Sequence, residues 1–295
     1  MKILVLGSKG QLGRCLYDQL LNTDHEVFYT SREQIDITDF EQTKKQTLKI
    51  SPDLIINAAA YTAVDKAEED QKTANLINHL AVKNIADICN QLECWLIYVS
   101  TDYVFDGNSN MSYKEDDKTN PQGVYGKTKL DGELAIRTSG CKHIIIRTAW
   151  IFSEYGNNFL KTMLRLGADR DELSIVGDQI GCPTYAQDIA RSIVEIAPQL
   201  NSLKGNCIYH YCGDKSCSWY DFANAIFDQA MANNLKIPSI VNSIKTSAYP
   251  MPAKRPAFSV LDCSKAENDF GVHASNWHDG IKQAIRKLLL ENPVY

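Results

Sequence analysis

The sequence predicts an α/β protein built on a doubly wound parallel sheet, with a smaller C-terminal lobe. Three observations lead there. Short apolar runs alternate with longer stretches of helical spacing through the first half of the chain. Those runs are continuously apolar, as in parallel strands covered on both faces. After about Trp150 the rhythm loosens into helical stretches, short strands and Pro-containing loops. The expected division is residues 1–150 for the sheet domain and 151–295 for the lobe, with some later segments returning to the sheet.

The elements follow in order. Strands are expected at Ile3–Leu6, Glu26–Thr30, Asp53–Asn57, Trp95–Ser100 and His143–Thr148. Helical spacing covers Gln11–Leu21, Ile37–Ile50, Ala63–Gln91 and Val124–Arg137, and later Asn158–Gly167, Ala186–Ala197, Ser218–Asn233 and Trp277–Leu290. A doubly wound sheet binds ligands beyond the carboxyl ends of its strands, where strand order reverses.

Composition narrows the function. Apolar residues make up 44% of the 295 and charged residues 23%, which suits a globular protein and excludes intrinsic disorder. No apolar run approaches the ~20 residues of a membrane helix, and the first apolar run is too short for a secretory signal. With 31 basic and 36 acidic residues, a net charge of −5 and no basic stripe, nucleic acid is not an expected partner. Nine scattered cysteines without a secretory signal read as reduced thiols, so the expected location is the cytoplasm.

The first strand runs into Gly7-Ser8-Lys9-Gly10-Gln11-Leu12-Gly13, which opens the first helix. Glycine there permits a tight turn and a close backbone approach to a pyrophosphate at a helix N-terminus. Residues 1–150 therefore read as a dinucleotide-binding domain. The second strand ends at Ser31-Arg32 with no acid to grip the ribose hydroxyls, which leaves room for the 2′-phosphate of NADPH. Arg32 either reads that phosphate or is a solvated surface cation. Asp36 and Ile37 suit an adenine contact. The small run Ala58-Ala59-Ala60, before Tyr61, leaves space for a flat cofactor.

Thr101 and Asp102 end the fourth strand, and Tyr125 and Lys129 lie four apart on one helical face. A phenol with a pKa of ~10 is a poor acid at neutral pH. A nearby ammonium stabilises its phenolate and brings the group towards the working range. Thr101 is placed to bond the same carbonyl oxygen that Tyr125 protonates. Cys207, His210, Cys212 and Cys217 lack a zinc-knuckle spacing, and no metal site is expected.

On these motifs the chain resembles the extended short-chain dehydrogenase/reductase superfamily and, within it, the dTDP-4-dehydrorhamnose reductases. The resemblance spans nearly the whole chain. Besides the glycine loop it rests on Asn57-Ala58-Ala59-Ala60-Tyr61-Thr62-Ala63-Val64-Asp65, Ser100-Thr101-Asp102-Tyr103-Val104-Phe105-Asp106-Gly107, Tyr125-Gly126-Lys127-Thr128-Lys129 and Arg147-Thr148-Ala149-Trp150. Asp178-Gln179-Ile180-Gly181-Cys182-Pro183-Thr184 and Arg255-Pro256-Ala257-Phe258 complete it.

The resemblance implies a Rossmann fold and NADPH-dependent reduction of a dTDP-linked 4-keto sugar, with NADH also accepted. It gives Tyr125 as proton donor and Lys129 as the group that lowers its pKa and holds the nicotinamide ribose. It places Thr101, Asp102, Trp150 and Arg255 against the substrate, the last beside the diphosphate. A different 4-keto-6-deoxy sugar and a non-catalytic regulatory subunit of the same fold are the alternatives. Some relatives form homodimers through a magnesium cluster of glutamates. Here one of those positions is Cys15, a poor ligand for a hard cation, so a homodimer of this chain is expected to need no magnesium.

Overall fold

A computed structural model describes residues 1–203 and 205–291. Five strands come from the first half: β1 (Lys2–Leu6), β2 (Glu26–Thr30), β3 (Leu54–Asn57), β4 (Trp95–Thr101) and β5 (Lys142–Thr148). A sixth, Cys207–His210, returns from the second half and pairs with β5. All six are parallel, in the spatial order Cys207–His210, β5, β4, β3, β1, β2. The order reverses at β1, so the crevice beyond β1 and β3 is where such a sheet accepts a ligand.

Alternation of side chains along each strand explains why these runs are apolar throughout. Ile3, Val5, Leu54, Ile56, Ile97 and Ile144 face one side, where α1 (Gln11–Leu20) and the helix Ala186–Ile196 cover them. Leu4, Leu6, Ile55, Leu96 and Ile145 face the other, under the helix Ala81–Leu92. A separate core, with Leu160, Phe222, Trp277 and Ile281, holds the helices Phe159–Asp169, Trp219–Ala232 and Trp277–Glu291 together.

Two helical expectations change on folding. The stretch expected from Ile37 begins at Phe40, because Asp39 caps α2 (Phe40–Ile50) by accepting from the Gln42 N–H at 2.9 Å. The single stretch expected over Ala63–Gln91 is interrupted near Asp70 and opens into a wide π turn at Leu76–Leu80. Buried Asn78 lies at that turn. Its amide clasps the backbone of Tyr61, accepting at 2.9 Å and donating at 3.0 Å, and reaches Thr128 Oγ1 at 3.3 Å. The wide turn thus ties the loop after β3 to the helix Val124–Thr138. None of the described helices is long and apolar enough to cross a membrane.

Candidate active site

The loop after β1 is drawn tight by its own backbone. Gly7 and Ser8 both donate to the Thr30 carbonyl at 3.0 Å, and Gly10 donates to Gly7 at 3.0 Å. Gly7 has φ +81°, and a Cβ there would stand 2.8 Å from the Ala59 nitrogen. Any side chain would push the β1 loop off the β3 loop. Gly13 is equally enclosed, with Gly7 O 2.3 Å from where its Cβ would be. The β1 loop thus packs directly on Ala59, and Leu12 in the first turn of α1 is buried. The Gln11 side chain turns away and bonds Asn158 at 2.7 Å.

Beyond the end of β2 the charged residues are paired, and Arg32 among them is exposed. Arg32 donates to Asp36 at 3.1 Å, and Asp36 also accepts from the Thr38 N–H and hydroxyl at 3.0 and 2.7 Å. Burial would raise the Asp36 carboxyl, but Thr38 and Arg32 outweigh it and hold it below its ordinary value. Ile37 is buried behind them. Sequence reasoning missed Glu33. Although β2 ends without an acid, Glu33 folds back onto the Ser31 hydroxyl and the Lys9 ammonium, 3.0 Å away. The Ser31 bond, the local backbone and Lys9 together lower its carboxyl to about 2.

At the end of β4 the polar side chains are buried. Thr101 and Asp102 are among them, and Thr101 Oγ1 donates to Asp102 Oδ1 at 3.0 Å. Burial raises the Asp102 carboxyl to about 6, with the nearby Ser259 and Thr101 acting in the opposite direction. Tyr125 stands on the helix Val124–Thr138, with its ring edge-on to Tyr103 at 5.5 Å. Burial pushes its phenol up to about 12, with Thr101 acting in the opposite direction.

Lys129 is on the same helix face, but its ammonium does not meet the phenol. It donates to the Val99 carbonyl at 2.7 Å and lies 4.0 Å over the Tyr98 ring. Burial lowers it to about 7, and Glu133, one helical turn on, raises it. Glu133 is itself held by Arg147 at 2.7 Å and by the Ser100 hydroxyl at 2.5 Å. The backbone places Tyr125 and Lys129 side by side, while the polar atoms of β4 decide where the ammonium points.

The substrate candidates divide. β5 pairs with β4 so that Thr148 sits opposite Thr101, and Trp150 follows two residues later at the same edge. Arg255 is taken up by Asp65 in a two-pronged pair at 2.5 and 2.9 Å. That partner was also missed, since nothing in the spacing links residues so far apart. The cysteine cluster takes a different form from the spacing that invites zinc. Cys212 meets Cys263 at 3.5 Å, and His210 Nδ1 bonds the Tyr113 carbonyl at 3.1 Å. Among the described residues no cluster of three or more His, Cys, Asp or Glu is arranged to hold a metal ion.

Residues 1–290 match the model of the RmlD substrate binding domain family. The chain belongs to this family. Curated relatives in it include the dTDP-4-dehydrorhamnose reductases of Aggregatibacter actinomycetemcomitans, 44% identical over 95% of this chain and 97% of that protein, and of Escherichia coli K12, 38% identical over 98% of both. A dTDP-4-dehydrorhamnose reductase structure from Clostridium acetobutylicum superposes with a TM-score of 0.91 at 39% identity, over 98% of this chain and 99% of that one. The Bacillus anthracis enzyme, solved in complex with NADP, gives 0.89 at 33% identity over 97% and 99%. Fold and family therefore agree with the motifs.

Proposed function

We propose that this chain is an NADPH-dependent reductase that converts the 4-keto group of dTDP-4-dehydro-L-rhamnose to the alcohol of dTDP-L-rhamnose. One observation carries the reading. Thr101 bonds Asp102 at the end of β4, with Tyr125 close to Thr101, at the same carboxyl edge of the sheet as the glycine loop. The named activity of relatives that align end to end supports it.

The residues suit the cofactor. Gly7, Gly10 and Gly13 bring bare backbone to the pyrophosphate position, and Ala58 to Tyr61 line the crevice beside it. Ser31, Arg32, Asp36 and Ile37 would hold the adenosine end, with NADH also accepted. When bound, the reduced nicotinamide supplies a hydride to C4 of the sugar. Tyr125 donates its phenolic proton to O4, and Thr101 bonds the same oxygen. Lys129, released from Val99, holds the nicotinamide ribose and offsets the phenolate. Asp102 and Trp150 bound the hexose, and Arg255 approaches the diphosphate. Residues 1–150 thus serve the cofactor and 151–295 mainly the sugar nucleotide.

All nine cysteines are free, which supports a cytoplasmic enzyme. We read any homodimer as independent of magnesium. Buried Cys15 lies beside Asp18 and Glu154, whose carboxylates already face Lys287 at 3.4 and 2.8 Å. The test is direct. Purified protein supplied with enzymatically prepared dTDP-4-dehydro-L-rhamnose should oxidise NADPH and yield dTDP-L-rhamnose; no oxidation, with the fold intact by circular dichroism, would overturn the reading.

A further inference from the structure

Trp150 is held in a conformation that large residues rarely adopt. Its φ is +46°, in the left-handed region where a side chain crowds the backbone. Something outside the residue has to hold it there. Two features do so. The Trp219 ring stacks on the Trp150 ring at 3.5 Å and 9°. Gly181 lies against the indole so closely that a Cβ would stand 2.5 Å from Cε2 and 2.7 Å from Nε1.

Both features come from one small ladder. Ile180-Gly181 pairs antiparallel with Cys217-Ser218. Ser218 then caps the helix Trp219–Ala232 by a reciprocal bond with Asp221, at 3.0 and 3.1 Å, which fixes the backbone from which Trp219 projects. Phe159 backs Trp219 at 4.7 Å. On its other side the same ladder strand bonds the 257–259 segment. Ile180 donates to Ala257 at 2.8 Å and Ser259 donates to Ile180 at 2.8 Å. Ser259 is buried close to the Asp102 carboxyl. One short strand therefore positions a wall of the hexose site, through Gly181 and Trp219, and also Ser259 at the acid on its floor.

We propose that Trp219 is a positioning residue for the sugar nucleotide, acting through Trp150, which it clamps against Gly181 in its left-handed conformation. The proposal rests on the reading of Trp150 as a hexose contact. Aromatic pairs of this kind stabilise a fixed geometry beyond simple burial, and a ring held in advance loses less freedom when the sugar binds. Removing Trp219 lets Trp150 relax to ordinary backbone angles and leave the site. The cofactor crevice beyond β1 and β3 contains no part of the clamp, so nucleotide cofactor binding should not respond.

The test compares four proteins by steady-state kinetics and near-ultraviolet circular dichroism. Trp219→Ala should raise KM for the dTDP-4-keto sugar about tenfold, leave KM for NADPH within twofold, and abolish the circular dichroism signal of the stacked indoles. Trp219→Phe keeps a ring on Trp150 and should restore sugar KM to within about threefold of wild type. Trp150→Ala separates the two readings. If Trp150→Ala leaves sugar KM unchanged, the hexose role of Trp150 fails and the proposal falls with it. If Trp150→Ala raises sugar KM but Trp219→Ala does not, the clamp alone is overturned. A Trp219→Ala protein that weakens NADPH and sugar equally would mark Trp219 as merely structural, which also overturns it.

Discussion

The two ends of the cofactor crevice are built on opposite electrostatic principles. Beyond β2, at the proposed adenosine end, Arg32, Glu33 and Asp36 are exposed or nearly so, and their charges are met by short-range partners in water. At the reaction end Thr101, Asp102 and Lys129 are buried, and each ionisable group there is displaced from its ordinary value mainly by loss of solvent. Exposed ion pairs contribute little because water screens them and long side chains lose freedom to form them. Buried groups have no such screening. On the proposed assignment, recognition at the first end is adjustable, while chemistry at the second depends on single atoms.

After Tyr125 itself, the largest effect is expected at Lys129. Lys129→Met keeps the length of the side chain and removes the ammonium, so turnover should fall about tenfold to a hundredfold and NADPH should bind more weakly. A titration showing unchanged NADPH affinity would remove the ribose from its role. The site makes a further demand on this residue. The ammonium now rests on Val99 O, so binding of the cofactor must offer it a better partner than that carbonyl.

Asp102 links stability to chemistry. Its folded pKa of about 6 exceeds the ordinary carboxyl value of 3.8, so the folded state binds more protons than the unfolded state between about pH 4 and 6. Stability from this group falls as pH rises through that window, and the cost stands in full above pH 6. Two units correspond to about 3 kcal/mol. Asp102→Asn should therefore melt about 5 °C higher than wild type at pH 7.5, lose that advantage by about pH 4, and turn over the sugar more slowly. A melting temperature lowered at pH 7.5 would show that the carboxylate is better satisfied than its burial indicates.

Much of the architecture was legible because strands buried on both faces leave an unbroken apolar signature, as in Ile3–Leu6 and His143–Thr148. The glycine loop and the Tyr125–Lys129 spacing were legible for the same local reason. What escaped was tertiary. Asn78, at the turn that opens the helical stretch, clasps Tyr61, Glu33 meets Lys9, Asp65 captures Arg255, and Trp219 stacks on Trp150. Each joins residues whose sequence spacing carries no period. The direction of the Lys129 ammonium belongs with them, since helical spacing gives the face and not the partner.

Smaller effects are expected at the exposed end. Arg32 has only to leave the solvated Asp36 to meet a 2′-phosphate, so Arg32→Ala should weaken NADPH about tenfold and leave NADH nearly untouched. Glu33→Ala frees the Ser31 hydroxyl and removes an anion, and should shift preference further towards NADPH by about threefold. Equal changes for both cofactors, measured by fluorescence titration, would place these residues in support of the fold instead. The smallest effect is expected from chelation. EDTA should change neither activity nor molecular mass by light scattering, because Lys287 already faces the carboxylates near Cys15; a mass that halves would contradict this.

The reaction end stands or falls on one phenol. Tyr125→Phe removes the proton donor and keeps the ring against Tyr103. In a single turnover with NADPH and dTDP-4-dehydro-L-rhamnose, hydride transfer should slow by about 10²–10⁴-fold while NADPH affinity stays within twofold of wild type. A Tyr125→Phe protein that reduces the sugar at the wild-type rate would contradict the account.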